Sequence, residues 1–255
     1  MTKLDRLIEI LCAERGEDVP VLSEKEKGRY FRALVNVRMP KQASEEFLRL
    51  QDEYLQEQLR IKGVIGIAEL SPVTISPDIY LGQGDITTLK CDGIVNAANS
   101  QMLGCFHPNH GCIDNAIHTF AGVQLRQECA EIMEAQGKPE PTGSAKITRG
   151  YNLPCKYVLH TVGPIVYGGL TKKHEEQLAS CYRSCLELAD ANGLQSIAFC
   201  CISTGEFHFP NDRAAEIAIA TVGEYKQKTH SKIKVIFNVF KDYDYDIYAR
   251  LLGAN

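Results

Sequence analysis

Apolar residues recur along this chain with two different periods. Near the start, Leu4, Leu7, Ile8, Ile10 and Leu11 fall at helical spacing. A second helical run opens at Ser44-Glu45-Glu46-Phe47-Leu48 and continues to about Leu59, with Pro20 and Pro40 punctuating the stretch. Residues 1–70 therefore read as a helical extension that packs on the rest of the chain, 71–255, rather than standing apart. From about Ser71 the texture changes. Short apolar runs at 78–81, 93–97, 157–161, 196–202 and 234–240 alternate with helical patterns at 115–135, 173–192 and 212–228. Such alternation predicts an α/β fold with a parallel or mixed sheet covered on both faces. A nearly unbroken run such as Ile197-Ala198-Phe199-Cys200-Cys201-Ile202 predicts burial on both sides of the sheet.

In sheets of this kind ligands sit beyond the carboxyl ends of the strands. Two of the loops found there carry unusual residues. The first runs from Asn96 to His118 and holds Cys105, His110 and Cys112 within eight residues, with Gly104, Pro108 and Gly111 to bend the backbone. Two thiolates and an imidazole suit tetrahedral zinc, and three protein ligands leave the fourth position open, as in catalytic sites. The spacing C-x4-H-x-C is not a common finger pattern, and scattered polar loop residues are the bland alternative. His107 competes with His110 as a ligand, whereas His118, on a predicted helix, reads as an ordinary core or surface histidine. Asp114 either caps that helix or aims a carboxylate into the pocket. The second loop is Ser203-Thr204-Gly205-Glu206-Phe207, at a strand end just before a helix, where backbone N–H groups can meet a phosphate. Neither a P-loop nor a dinucleotide fingerprint is present.

Composition narrows the function classes. A net charge of −4 gives no basic footprint for nucleic acid. No run approaches the roughly 18 apolar residues of a membrane span, and the charged start Met1-Thr2-Lys3-Leu4-Asp5-Arg6 lacks a signal core, so a cytoplasmic location is expected. In that setting the ten cysteines read as reduced thiols. Cys181 and Cys185 are expected in the core, and Cys200 and Cys201, in an apolar strand, are expected to be inert.

Four segments in order resemble the macrodomain family: Gly84-Asp85-Ile86-Thr87, Val95-Asn96-Ala97-Ala98-Asn99, Cys112-Ile113-Asp114-Asn115-Ala116-Ile117-His118 and Ser203-Thr204-Gly205-Glu206-Phe207. Where most hydrolytic members have a run of glycines, this chain carries the Cys105, His110 and Cys112 set. That replacement resembles the zinc-containing protein-ADP-ribose hydrolase branch, the sirtuin-linked bacterial type. The resemblance covers about Asp78 to Ala249 and implies a three-layer α/β/α macrodomain with a mixed sheet. It implies that Asp85 and the backbone of Ile86 hold adenine, with Phe240 as a stacking candidate. It further implies that Asn99 orients the distal ribose, that Ser203, Thr204, Gly205, Glu206 and Phe207 wrap the diphosphate, and that Phe207 lies near that ribose. The implied substrate is a mono-ADP-ribosylated protein, with a lipoyl-carrier protein as one candidate, and a monomer is the default state.

The implied reaction breaks the bond from C1″ of the distal ribose to a protein side chain through an oxocarbenium-like transition state. Zinc either activates water or positions ribose hydroxyls, and two thiolate ligands lower its Lewis acidity, which favours positioning. Asn99 and Asp114 are the catalytic candidates, Asp114 as general base or water-orienting group. A non-catalytic ADP-ribose reader is the alternative. A zinc deaminase is disfavoured, because His174-Glu175-Glu176 has no later Pro-Cys-x-x-Cys.

Overall fold

The computed structural model describes residues 2–254. Three helices open the chain: α1 (Lys3–Arg15), α2 (Glu24–Val37) and α3 (Glu45–Lys62). Thr2 caps α1 in a capping box with Asp5, and the Ser44 hydroxyl caps α3 at the Phe47 N–H. Sequence periodicity misses α2, whose opening Glu24-Lys25-Glu26-Lys27-Gly28-Arg29 carries no apolar residue. Its later turns bury Phe31, Leu34 and Val35 against Leu7, Ile8 and Leu11 of α1 and Phe47 and Leu50 of α3, a small core of their own.

The chain then enters the sheet layer. β1 (Ile65–Gly66) pairs with β4 (Leu89–Lys90) in a two-stranded ribbon. The main sheet contains β2 (Ser71–Pro72), β3 (Ile79–Gln83), β5 (Gly93–Ala98), β6 (Ala145–Arg149), β7 (Tyr157–Val162), β8 (Ser196–Phe199) and β9 (Lys234–Val239), in the order β2-β3-β9-β8-β5-β7-β6. The five central strands run parallel, and β2 and β6 lie antiparallel at the two edges. The mixed sheet expected from the alternation is therefore present. Its centre is dry: Ile94, Val95, Val158, Leu159, Ile197, Val235 and Ile236 are fully buried.

α4 (Ile113–Ala121) and α5 (Val123–Gln136) pack on β5 and β6, while α6 (Lys172–Ala191), α7 (Asn211–Thr229) and α8 (Asp242–Leu252) cover β7, β9 and one another. Two sequence expectations need correction. The helix expected over 115–135 is two helices, broken at Gly122 with φ 100°, where a Cβ would meet the side chains of Gln124, Gln51 and Asn152 at 2.6–3.2 Å. The strand expected over 196–202 stops at Phe199, because the chain turns there to begin the loop that carries Ser203.

Candidate active site

The C-terminal ends of the parallel strands bring the predicted residues together. Asp85 follows β3, Asn99 follows β5, Ser203 to Phe207 follow β8, and Phe240 follows β9. Gln83 pairs with Val239, so Asp85 and Phe240 leave neighbouring strands side by side. Phe240 is 75% exposed, which leaves its ring free. Asp85 accepts at Oδ1 from the Thr87 N–H and hydroxyl, and at Oδ2 from Lys62 Nζ at 2.8 Å. Those bonds outweigh the opposing effect of its burial and hold the carboxyl below its ordinary value. A cavity of about 280 Å³ opens beside it, lined by Gly84, Asn238 and Tyr245 among others.

The loop after β5 folds back on itself. Cys105 Sγ lies 3.6 Å from His110 Nδ1, and the donor atoms of Cys105, His110 and Cys112 all fall within 4.8 Å of one another. His110, not His107, joins the thiols. The other ring nitrogen of His110, Nε2, faces the Glu206 carboxylate at 3.6 Å, the outer-shell arrangement that orients a metal-ligating imidazole. Burial pushes the Cys112 thiol up to about 12, with Cys105 adding to the effect, so a nearby cation is what would hold Cys112 as a thiolate. On donor type, number and spacing the three residues fit zinc. The loop is held from outside. Arg32 of α2 donates to the His110 carbonyl and to Asn115 Oδ1, Asn115 Nδ2 donates to the carbonyl of His107, and Asn36 Oδ1 accepts the Asn109 N–H.

Asp114 does not cap α4. Cys112 is the N-cap, accepting the Asn115 N–H at 3.4 Å. Asp114 instead turns into the core, 5% exposed, where Oδ1 accepts from Asn96 Nδ2 at 2.8 Å and Oδ2 accepts a longer 3.4 Å bond from Asn99 Nδ2. Burial pushes its carboxyl up to about 6, against the opposing pull of the Asn96 bond and the Arg126 charge. Asn99 also donates to the Gly104 carbonyl, so it ties Asp114 to the start of the loop that carries Cys105, His110 and Cys112.

The 203–207 loop is shaped for an anion. Ser203 has φ 65°, and among the described residues no backbone carbonyl takes the N–H groups of Thr204, Gly205, Glu206 or Phe207. The loop is anchored by Val166 N–H to the Phe207 carbonyl and by Phe209 N–H to the Ser203 carbonyl. Gly163 lets it approach: a Cβ there would sit 2.0 Å from Ser203 Oγ.

The model of the macro domain family matches residues 95–218. A protein of Treponema medium named protein-ADP-ribose hydrolase is 56% identical over 99% of this chain and 100% of its own length. The chain belongs to the macro domain family. Among solved structures, the Trypanosoma brucei macrodomain in complex with ADP-ribose is 32% identical with a TM-score of 0.68, covering 92% of this chain and 97% of that one. The Oceanobacillus iheyensis macrodomain with ADP is 39% identical with a TM-score of 0.62, covering 69% of this chain and 90% of that one.

Several residues of this macrodomain site lay outside the sequence reading. Arg32, Asn36 and Lys62 come from the helical extension, and Lys62 Nζ also sits 3.3 Å from the centre of the Phe120 ring. Behind Asp114, His118, Cys129 and His160 form a second buried cluster. It is not an open ligand site, because both nitrogens of His160 already face Asn96 and Thr148. Its one sequence signal was His160, a polar residue inside the apolar run of β7.

These histidines make the fold acid-sensitive. Burial lowers His160 from 6.5 to about 3 and holds His118 well below its ordinary value. Between pH 6.5 and 3 the unfolded chain binds protons that the native chain refuses. His160 therefore contributes stability that is full above pH 6.5 and is lost at about 1.4 kcal/mol per pH unit as pH falls towards 3, and His118 acts in the same direction, while Asp114, raised to about 6, takes up a proton in the native state and offsets part of the loss below pH 6. Melting temperatures followed from pH 7 to 4 are expected to fall, and less steeply in His118→Gln. Equal slopes in the two proteins would contradict this account.

Proposed function

We propose that this chain is a zinc-dependent protein-ADP-ribose hydrolase that releases mono-ADP-ribose from a modified protein side chain. The observation that carries the reading is the meeting of Asp114 and Asn99, 3.4 Å apart, with Asn99 bonded to the Gly104 carbonyl at the start of the loop that gathers Cys105, His110 and Cys112, where Glu206 faces His110. A module that only holds ADP-ribose has no need of a buried carboxylate whose burial keeps it ready to take a proton near neutral pH. The protein-ADP-ribose hydrolase name of the Treponema relative and the ADP-ribose bound to the trypanosomal neighbour support the same reading.

In this reading adenine lies at the Asp85–Phe240 end. One lone pair of Asp85 Oδ2 remains beside Lys62 to accept the exocyclic amine, the backbone of Ile86 lies alongside, and Phe240 stacks on the base. The free N–H groups of Thr204, Gly205, Glu206 and Phe207 bind the diphosphate, with Ser203 turning the backbone towards it. This places the distal ribose between Asn99, Phe207 and Asp114. Asn96 occupies Asp114 Oδ1, so Oδ2 is the oxygen that accepts a proton from the attacking water as the C1″ bond breaks. Asn99 fixes that oxygen and orients the ribose. When bound, zinc supplies positive charge and Lewis acidity beside the distal ribose. A lipoyl-carrier substrate and a sirtuin-type partner transferase belong to the same reading, as does a reducing compartment such as the cytoplasm, which suits ten free thiols.

Purified protein incubated with mono-ADP-ribosylated protein is expected to release free ADP-ribose, and to stop doing so once chelation removes its zinc. Zinc-loaded protein that binds ADP-ribose tightly but releases none would turn the assignment to a reader. Release that continues after complete zinc removal would end the metal-dependent version.

A further inference from the structure

A polar ladder crosses the otherwise apolar face of the sheet beneath α4. Asn96 on β5 and His160 on β7 are direct register partners, both fully buried, and Thr148 on β6, the partner of Val158, lies diagonally across from His160 on the same face. Thr148 Oγ1 lies 2.9 Å from His160 Nε2, His160 Nδ1 lies 3.1 Å from Asn96 Nδ2, and Asn96 Nδ2 lies 2.8 Å from Asp114 Oδ1. Thr148 Oγ1 in turn reaches the Val158 carbonyl at 3.5 Å. Packing favours hydrocarbon at such positions, because each buried polar group must find partners. Three strands have nevertheless spent these positions on groups that end at one carboxylate.

The direction of the ladder follows from its chemistry. Burial keeps the His160 ring neutral, so one nitrogen carries a hydrogen and the other accepts. The Asn96 amide meets an acceptor on both sides, the Asp114 carboxylate and a ring nitrogen, and so must present its NH2 group to them. Among the described residues its buried Oδ1 has no hydrogen-bond partner. Turning the amide over would satisfy that oxygen only by setting it against the carboxylate. The orphaned oxygen therefore marks an amide orientation chosen for Asp114. Nδ1 of His160 then accepts from Asn96, and its Nε2–H donates to Thr148, whose own hydroxyl hydrogen points to the Val158 carbonyl.

We propose that Asn96, His160 and Thr148 are positioning residues for the hydrolase reaction, a ladder that fixes the orientation of Asp114 from behind. They touch neither ligand nor reacting atoms. This inference rests on the hydrolase reading for its kinetic consequence, but its geometry can be tested without activity.

The first measurement is nitrogen NMR of the His160 ring in the zinc-loaded full chain. The ladder requires hydrogen on Nε2 and none on Nδ1, and the opposite tautomer overturns it whether or not the protein hydrolyses anything. The second is a kinetic series on a substrate that the native chain is shown to cleave. His160→Leu is expected to lower kcat roughly 10- to 100-fold, the usual cost of losing a group that orients an active-site residue, with the Kd for ADP-ribose and the zinc content unchanged. His160→Asn, whose side-chain oxygen can sit near the Nδ1 position, is expected to recover most of that loss. Thr148→Val removes one hydroxyl and keeps the ring, and covers the case in which His160→Leu fails to fold. It is expected to lower kcat in the same direction with KM unchanged. Native kcat in His160→Leu or Thr148→Val, or losses in ADP-ribose affinity that match the losses in kcat, would show the ladder to be core structure alone. Absence of cleavage by the native chain, with the expected tautomer present, would instead count against the hydrolase reading and leave the ladder standing.

Discussion

Asp114→Asn is expected to lower hydrolysis by roughly 10²- to 10⁴-fold, the range for loss of a placed proton acceptor. The substitution keeps shape and size: the new side-chain oxygen can still accept from Asn96, its NH2 group faces Asn99 Nδ2 and loses that longer bond, and binding of free ADP-ribose is expected to persist. Stability is the discriminating readout. A carboxylate buried at 5% exposure and pushed up to about 6 is a burden on the native state, because ionising it in the core costs more than ionising it in water. Removing the charge relieves that cost and offsets the lost Asn99 bond, so the melting temperature should change little. A large loss of activity is then expected with little change in stability, as where a site residue is held against the preference of the fold. If Asp114 served only the start of α4, both would fall together. That outcome is already disfavoured by Cys112, which occupies the cap position.

The second large effect concerns the ligand loop. Cys105→Ala and Cys112→Ala are each expected to reduce zinc from about one ion per chain to near none, measured as metal content of the purified protein, since two remaining ligands seldom hold the ion. Hydrolysis should fall with it. ADP-ribose affinity, read by calorimetry, should weaken far less, because Asp85, Phe240 and the 203–207 loop lie outside the loop that the ligands close. Native activity in a variant shown to be free of zinc would remove the metal from the reaction. Arg32 and Asn36 make the expectation broader than three residues. They grip the loop at the His110 carbonyl and the Asn109 N–H from a helix more than seventy positions away, so the extension acts as a wall of the site and not as an appendage.

Much of this protein follows from local pattern. The strands at the centre of the sheet announced themselves, because burial on both faces writes runs dominated by apolar residues, with only isolated polar ones such as Asn96 and His160. β6 did not, because an edge strand reading Ala145-Lys146-Ile147-Thr148-Arg149 is only partly buried and mixes charge with apolar side chains. α2 was hidden by its charged first turns, and the break at Gly122 by an apolar pattern that runs straight through it. The Cys105, His110 and Cys112 set and the four family segments were legible because their residues lie close together in the chain, where a loop can bring them into contact by bending alone.

Other parts of the site depend on neighbours that the chain supplies from far away. His160 meets Asn96 across 64 residues only because β5 and β7 pair in that register. Arg32 reaches Asn115 across 83 residues, and Lys62 reaches Asp85 across 23, only because the extension docks on α4. Asp114 could be read equally as a cap or as a pocket carboxylate, since both need the same residue at the same place. The sequence by itself determined the fold class, the order of the central strands and of the longest helices, and the family to which the chemistry belongs, because hydrophobic periodicity and short motifs are local. Tertiary packing alone decided which way Asp114 faces, what holds it there and which helix closes the ligand loop, because burial and strand register are properties of the assembled sheet and of no single segment.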